Sequence, residues 1–341
     1  MISIQKNFSL KNYNTFHVNA KADFFVEIFS EDDVAQLLQS EVLKTNKFFI
    51  LWWGADILFT QDFAGVMIKI SIPGREIISE NETGEVVVKV WAGEDRHDFI
   101  LRCVEHHRCW AENLSYIPGQ VGSAPVQNIG AYWLEAKDII HSVQGINIET
   151  WEKVTLTHEE CEFSYRDSVF KHQRKDKIII TSVIFRLQKW TPAYQFKIEY
   201  KDLQWVLSGQ ELSLEKIVET IVNIRKSKLP DRKEIGTAGS FFKNPIISQQ
   251  QYAELKESYP ELIGHPDPNN SMFIKLSAGQ LIDLAGFKGK QEWLVWTYDK
   301  HALVLINNGW TGTDVRAFAQ GIQKKVLELF QVSLEPEVII L

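Results

Sequence analysis

Three loop segments concentrate the residues that could do chemistry. The first runs Ile117-Pro118-Gly119-Gln120-Val121-Gly122-Ser123-Ala124-Pro125-Val126-Gln127-Asn128-Ile129-Gly130-Ala131-Tyr132. Its glycines allow a backbone to come close to a ligand, and N–H groups in such a loop can cradle a pyrophosphate. Gln127 and Asn128 carry amides able to hydrogen-bond a heteroaromatic ring. The second segment, Cys161-Glu162-Phe163-Ser164-Tyr165-Arg166-Asp167-Ser168, sets Arg166 between an aromatic and an acid. A guanidinium there can clamp a carboxylate or phosphate bidentately, or pair with Asp167. In the third, Gly236-Thr237-Ala238-Gly239-Ser240-Phe241-Phe242-Lys243-Asn244-Pro245, the Ser240 hydroxyl lies between a glycine and two aromatics. Such a hydroxyl suits proton donation; the spacing is not the G-x-S-x-G of a nucleophile elbow. Each segment also has a plain structural reading: a Gly/Pro connector, an Arg–Asp pair, a turn over a buried Phe pair.

Other constellations fall short. His106-His107, near Cys103 and Cys109, lacks metal-ligand spacing, and His158-Glu159-Glu160-Cys161 is not H-E-x-x-H, so no metal is expected. No G-x-G-x-x-G follows a strand, which removes support for a Rossmann fold. Arg225, Lys226, Lys228, Arg232 and Lys233 form a solvated helix end or a diphosphate site. Lys+Arg 37 against Asp+Glu 44 leaves −7, giving no general pull toward nucleic acid or anionic membrane. Three cysteines suit a reducing compartment. No apolar run reaches the ~18–20 residues of a membrane span, and Met1 to Leu10 lacks a signal-peptide core, so cytoplasm is the expectation. At roughly 150 residues per domain, 341 residues imply two or three domains.

Alternating helical and strand patterns must position these loops. Ser30, followed by Glu31, Asp32 and Asp33, caps a helix that buries Val34, Leu37, Leu38 and Val42. Phe48 to Leu51, Val66 to Ile70, Val86 to Val90 and Ile178 to Leu187 read as strands, and Asp98 to Cys109 as a helix. Ser213 opens a helix that Pro230 stops. Ser248 with Gln251 and Ser277 with Gln280 have capping-box spacing. Thr313 is expected to cap a helix reaching Phe330, and Val332 to Leu341 to form a final strand.

In this order, the segments resemble those of the UDP-N-acetylenolpyruvoylglucosamine reductases, flavin enzymes of peptidoglycan precursor synthesis. The likeness runs from N-Y-N-T-F-H at Asn12 to His17, through Y-R-D-S-x-F, K-L-P-D and A-G-S-F-F-K-N-P, to L-E-P-E-V at Leu334 to Val338. Tyr200-Lys201-Asp202-Leu203 resembles the tyrosine loop of the family's longer form. The resemblance implies an α+β chain with a two-part FAD-binding region, a vanillyl-alcohol-oxidase-like flavin fold, plus a third α+β substrate domain. The parts would be residues 1–75 completed by about 322–341, then 76–212, and 213–321 for the substrate. It implies reduction of UDP-N-acetylglucosamine enolpyruvate to UDP-N-acetylmuramate through FAD, with NADPH as reductant, by a cytoplasmic monomer without nucleic-acid or membrane partners. Arg166, Ser240 and Glu337 match catalytic positions, Ser240 as proton donor to C2 with Lys243 or a water assisting. Tyr200, Lys228 and Asn244 match substrate-binding positions. Gly54, Ala55, Asp56, Pro118, Gly119, Gly122, Ser123, Gln127, Asn128, Gly130 and Arg225 are the expected cofactor contacts.

Eleven tryptophans against nineteen glycines mark where the chain departs from the family pattern. Leu51-Trp52-Trp53-Gly54-Ala55-Asp56 stands for L-G-x-G-S-N, and Val90-Trp91-Ala92-Gly93-Glu94-Asp95 for V-G-A-G-E-N. Trp133, Trp110, Trp151, Trp293, Trp296 and Trp310 also stand where the family has glycine or a turn. Indoles in a diphosphate loop fit a catalytically impaired flavin- or nucleotide-sugar-binding relative, or compensating changes that reshape the pocket. A gene in which UGA specifies glycine, translated with UGA as tryptophan, gives the same pattern, and UGG codons would exclude that origin. It leaves Ala55, Asp56 and Asp95 as real departures.

Overall fold

The computed structural model describes residues 2–267, 270–292 and 294–341. They form two compact units, one of Met1–Phe8, Ala22–Trp53 and Ala64–Lys226, the other of Ser9–Lys21, Gly54–Phe63 and Ser227–Leu341.

The first unit contains two large sheets and a short two-stranded one, Gly130–Ala131 with Leu134–Glu135. In the four-stranded one the order is Ile4–Ser9, Lys21–Ile28, Phe63–Ile70, Phe48–Leu51. Its last two strands run parallel, Phe48 opposite Val66. The helix Glu31–Gln39 starts where expected: the Ser30 hydroxyl accepts from the Asp33 N–H at 3.1 Å. Three acids in its first turn complement the helix dipole, and Val34, Leu37 and Leu38 are buried.

The second sheet has the strand order Lys153–Thr157, Ile140–Asn147, Ile178–Lys189, Glu85–Trp91, Arg75–Glu80. Ile178–Lys189 is central, so its apolar residues are buried on both faces, whereas Glu85–Trp91 alternates with Val86, Val88 and Val90 inward. The helix expected over Asp98 to Cys109 is Arg96–Glu105, capped by Asp95. It ends early because His107 takes φ +50 and Arg108–Cys109 pairs as a strand with Lys189 and Gln188. That partnership is long-range and leaves no local trace.

In the second unit one sheet is ordered Ile246–Ser248, Asn270–Leu276, Gly264–Asp267, and another Gln291–Glu292, Val295–Tyr298, His301–Asn307. Ser248 and Ser277 cap the helices Gln249–Ser258 and Ala278–Leu284, accepting from the Gln251 and Gln280 N–H groups. The last helix, Gly312–Phe330, is capped by Thr311 rather than Thr313. Asp314 completes a capping box with Thr311, while Thr313 lies inside the first turn and donates to the Thr60 carbonyl. The expected terminal strand shrinks to Ile339–Ile340, parallel to Ile57–Leu58. Pro336 interrupts the segment before it, lacking the N–H a ladder needs.

Candidate functional site

The first loop, in the first unit, is built around glycines that admit no side chain. Gly119 has φ +125 and a Cβ there would lie 2.3 Å from Arg96 Nη2. A Cβ on Gly122 would lie 2.3 Å from the Trp52 ring and 2.6 Å from the Ala92 Cβ. The amides beyond Gln120 are already used: Val121 and Gly122 donate to the Glu94 and Ala92 carbonyls, Ser123 and Ala124 to those of Gln120 and Val121. These four N–H groups therefore hold the loop's own shape; what the glycines contribute is room. Ser123 likewise spends its hydroxyl on the Gln120 carbonyl, and Pro118 accepts from the buried Arg96.

Two residues here escaped the sequence reading. Arg96 braces Pro118 from inside. Gln120 is buried, with Nε2 donating to the Ile70 and Gly93 carbonyls, while its Oε1 has no hydrogen-bond partner among the described residues. A buried acceptor in a glycine loop is what a ligand N–H or O–H would satisfy. Nothing in the sequence separates Gln120 from Gln127, which lies half-buried in the same loop.

Asn128 corrects an expectation. Its amide nitrogen donates to Glu135 Oε2 at 3.0 Å and the Ser164 carbonyl at 2.8 Å, and its Oδ1 accepts from the Lys137 N–H at 2.9 Å. Fully buried, it ties the first segment to the second and has no amide hydrogen left for a ring. Arg166, at φ +55, donates through Nη2 to the Gly130 carbonyl at 2.9 Å and through Nη1 toward that of Asn128 at 3.5 Å. Asp167 pairs with His172 at 2.7 Å, so carbonyls of the first loop orient the guanidinium. Ser168 completes the join by donating to the Val126 carbonyl.

Tyr200, Tyr132 and Arg225 form a third grouping in this unit. The tyrosine rings meet edge-on at 5.1 Å, and Arg225 Nε donates to the Tyr116 carbonyl at 3.1 Å. Burial pushes the Tyr132 phenol up to about 12, against the pull of the nearby Arg225 charge. Burial also lowers Arg225 from its ordinary value, opposed by a hydrogen bond with Tyr132. Arg225 thus stands with the tyrosines, one of them an expected substrate contact.

In the second unit the A-G-S-F-F and L-E-P-E-V segments lie side by side. Gly239 takes φ +76, after which Ser240 bridges to Val304, and the Phe241 N–H donates to the Leu303 carbonyl. The Glu337 N–H donates to the Phe241 carbonyl at 2.8 Å, and Phe242 bridges to Pro336. Buried Phe241 and Phe242 anchor the strand, leaving half-buried Ser240 and Glu337 on adjoining backbone. Lys243 does not serve Ser240 as expected: its Nζ pairs with Glu335 at 3.1 Å. Asn244 Oδ1 accepts from the Ala278 N–H, at the start of Ala278–Leu284, and Lys228 is the last residue of Leu214–Lys228. Gly54 has φ +68, and a Cβ there would lie 2.0 Å from the Tyr13 carbonyl oxygen. The carbonyls of Gly54, Ala55 and Asp56 accept from Thr15 N, Thr15 Oγ1 and Ile339 N.

The whole sequence has close relatives. Residues 22–150 match the FAD binding domain family, and residues 230–341 the UDP-N-acetylenolpyruvoylglucosamine reductase, C-terminal domain. The UDP-N-acetylenolpyruvoylglucosamine reductase of Flavobacterium johnsoniae is 41% identical over 341 residues, covering 99% of each chain. The chain belongs to this reductase family. The reductase of Neisseria gonorrhoeae is 38% identical over 339 residues, 99% of this chain and 97% of its own. The crystal structure of the reductase from Thermus caldophilus superposes with a TM-score of 0.66 at 20% identity, covering 100% of this chain and 98% of that one. The reductase fold expected from the motifs, with its flavin-binding region, is therefore the fold observed. Among the described residues no helix is long and apolar enough to cross a membrane.

Measured against the reductase pattern, the tryptophans divide in two. Trp110, Trp133 and Trp151 take φ of 89, 62 and 63, a backbone region that bulky residues resist. Trp52, Trp53, Trp91, Trp296 and Trp310 do not, and Trp293 lies outside the described residues. Trp133 follows Tyr132, at φ 50, in the two-residue loop joining Gly130–Ala131 to Leu134–Glu135. Positive φ at both positions is the signature of a type I′ hairpin turn, which favours Asn-Gly.

Proposed function

We propose that this protein reduces the enolpyruvyl group of UDP-N-acetylglucosamine enolpyruvate to a lactyl ether, in peptidoglycan precursor synthesis. The observation that carries the reading is the collinear match of the entire chain to reductases, including A-G-S-F-F-K-N-P and L-E-P-E-V. The matches give no support to a catalytically impaired relative. Bound FAD, reduced by NADPH, would supply the hydride for the terminal CH₂ of the substrate.

The residues present fit such a cofactor. In the first loop the buried Gln120 Oε1, without a partner among the described residues, is an acceptor that a ligand N–H or O–H would satisfy. Gly54, Ala55, Asp56, Pro118, Gly119, Gly122, Ser123, Gln127 and Gly130 would hold the cofactor, in a region formed by residues 1–75, 76–212 and about 322–341. Residues 213–321 would hold the UDP-sugar.

Hydride delivery to the CH₂ leaves negative charge on C2 and the adjacent carboxylate, and this charge needs preorganised donors. Arg166, oriented by the Gly130 carbonyl, supplies a fixed cation. Ser240 gives a proton to C2. Glu337 serves as the catalytic acid of the final segment, and Tyr200, Lys228, Asn244 and Arg225 hold the substrate. The protein works as a cytoplasmic monomer.

Purified protein should be yellow, bleach with NADPH and recover its colour with the enolpyruvyl substrate. In Ser240→Ala, bleaching should persist while recovery slows about 10²-fold or more. Full rates in both half-reactions would remove Ser240 from this role. A colourless protein that takes up no FAD would refute the function.

A further inference from the structure

Between the strand Ile178–Lys189 and the helix Lys201–Leu207 the chain has no regular structure. Residues 190–200 end on Tyr200, so what holds this segment sets where Tyr200 sits. No strand ladder fixes it. Trp190 N–H donates to the His107 carbonyl at one end, and further along two side chains reach it from the short turn Glu112–Leu114.

The first is Glu112. Only 2% exposed, it accepts through Oε1 from the Tyr194 hydroxyl at 2.5 Å. Its other oxygen has no hydrogen-bond partner among the described residues, so Tyr194 is the side-chain contact that a buried carboxyl makes here. The second is Asn113, also 2% exposed. Its amide nitrogen donates both to the Lys197 carbonyl at 2.8 Å and to the Tyr132 carbonyl at 3.0 Å. One amide group thereby joins the Tyr132 turn to the backbone three residues before Tyr200. The Tyr132 ring meets that of Tyr200 at 5.1 Å.

A cavity of about 400 Å³, lined by Glu112, Asn113, Tyr194 and Lys197 among others, lies against these anchors. On the segment's other side Trp190, Tyr194, Phe196 and Ile198 pack against apolar clusters that include Val104, Leu203, Leu214 and Ile217, so the polar contacts fix the segment on the side that borders open volume.

We propose that Glu112 and Asn113 are positioning residues, a buried two-point tether that fixes the Tyr200-bearing segment for substrate binding. They touch no substrate: Glu112 acts through Tyr194, and Asn113 through the Lys197 and Tyr132 carbonyls. The tether rests on the proposed substrate role of Tyr200. It predicts that loosening either point weakens substrate binding and leaves the chemical step intact.

The test uses the FAD-loaded enzyme with Tyr194→Phe, Glu112→Ala, Glu112→Gln and Tyr200→Ala. Tyr194→Phe keeps the ring and its packing. It should raise KM for the enolpyruvyl substrate about tenfold while kcat stays within about twofold. Backbone amide exchange across 191–200 should quicken in the same variant. Glu112→Ala should match Tyr194→Phe, and the two together should be no worse than either alone. Glu112→Gln keeps an acceptor for Tyr194 and should restore KM, which a merely structural loss would not do. An unchanged KM in Tyr194→Phe, with KM raised in Tyr200→Ala, overturns the tether alone. An unchanged KM in Tyr200→Ala overturns the substrate role of Tyr200 and the proposal with it. Unaltered exchange across 191–200 in Tyr194→Phe overturns the tether whatever Tyr200 does.

Discussion

Tryptophan at a left-handed backbone position should be worse than its removal to glycine, and the structure allows the strain to be isolated. Trp133 and Trp151 are 55% and 48% exposed, at φ 62 and 63. Removing either indole loses some burial, which obscures a direct comparison with the parent. Glycine and alanine variants lose the same indole, so that burial cancels in their difference. What remains is the Cβ strain of the left-handed conformation, about 1–2 kcal/mol, less the extra chain entropy of glycine, about 0.5–1 kcal/mol. Trp133→Gly should therefore exceed Trp133→Ala in stability by about 0.75 kcal/mol from the middle of these ranges and by at most about 1.5 kcal/mol, and position 151 should behave likewise. In ordinary helix or strand interiors the sign is opposite. Urea unfolding read by circular dichroism, with equal slopes, measures the difference as a shift in midpoint. Alanine equal to or better than glycine at both positions would refute the reasoning. The same argument expects UGA codons at 110, 133 and 151 in the gene, and UGG there would end the glycine-codon explanation.

Gly54→Ala should cost more than about 2 kcal/mol, since the new Cβ would meet the Tyr13 carbonyl oxygen at 2.0 Å at φ +68; an unchanged urea midpoint would show that the loop relaxes. Burial holds the Glu112 carboxyl above its ordinary 4.5. The folded state then binds that proton more tightly than the unfolded one, so its stabilisation is complete below 4.5 and is lost as pH rises through the folded value. Stability of the parent relative to Glu112→Gln should accordingly fall with rising pH, and a flat difference between acidic and alkaline urea series would contradict the shift. Because Asp167 pairs with His172, Asp167→Asn should keep kcat within a few-fold of the parent, whereas Arg166→Lys, which loses the planar fork, should drop it about 10²-fold. Equal losses in steady-state assays would mean that Asp167 orients the arginine after all.

What could be read beforehand follows the range of the interactions involved. The Ser30 cap, the valine alternation at 86, 88 and 90 and the stop before Pro230 are local, and the structure has them in place. The helical pattern of 98–109 runs on through Cys109, yet Cys109 pairs as a strand with Gln188, 79 residues away. Thr311 and Thr313 are equivalent by type; Asp314, three residues after Thr311, is the local signal that distinguishes them. The family resemblance brought out Arg166, Ser240 and Glu337, yet a resemblance carries no account of which hydrogen bonds are already spent. Asn128 has the right chemistry for a ring and turns all of it inward, onto Glu135, Ser164 and Lys137. Gln120, passed over beside it, keeps a buried oxygen unmatched.

That contrast bears on how the loop can bind anything. Amides 121–124 already close the loop on itself and on Ala92 and Glu94, so its shape exists without a ligand. Binding then carries little of the ordering cost that a loose glycine loop would incur. The strain is stored in the adjoining turn, where Tyr132 and Trp133 both take positive φ. Asn113 grips that turn by the Tyr132 carbonyl, and Tyr132 in turn touches Tyr200 and Arg225. A change at position 133 would therefore be felt first in the placement of the tyrosines. Glycine at 133 should accordingly lower the KM for the nucleotide-sugar substrate more than it alters FAD retention. The opposite order would place the consequence of that tryptophan in the flavin loop instead.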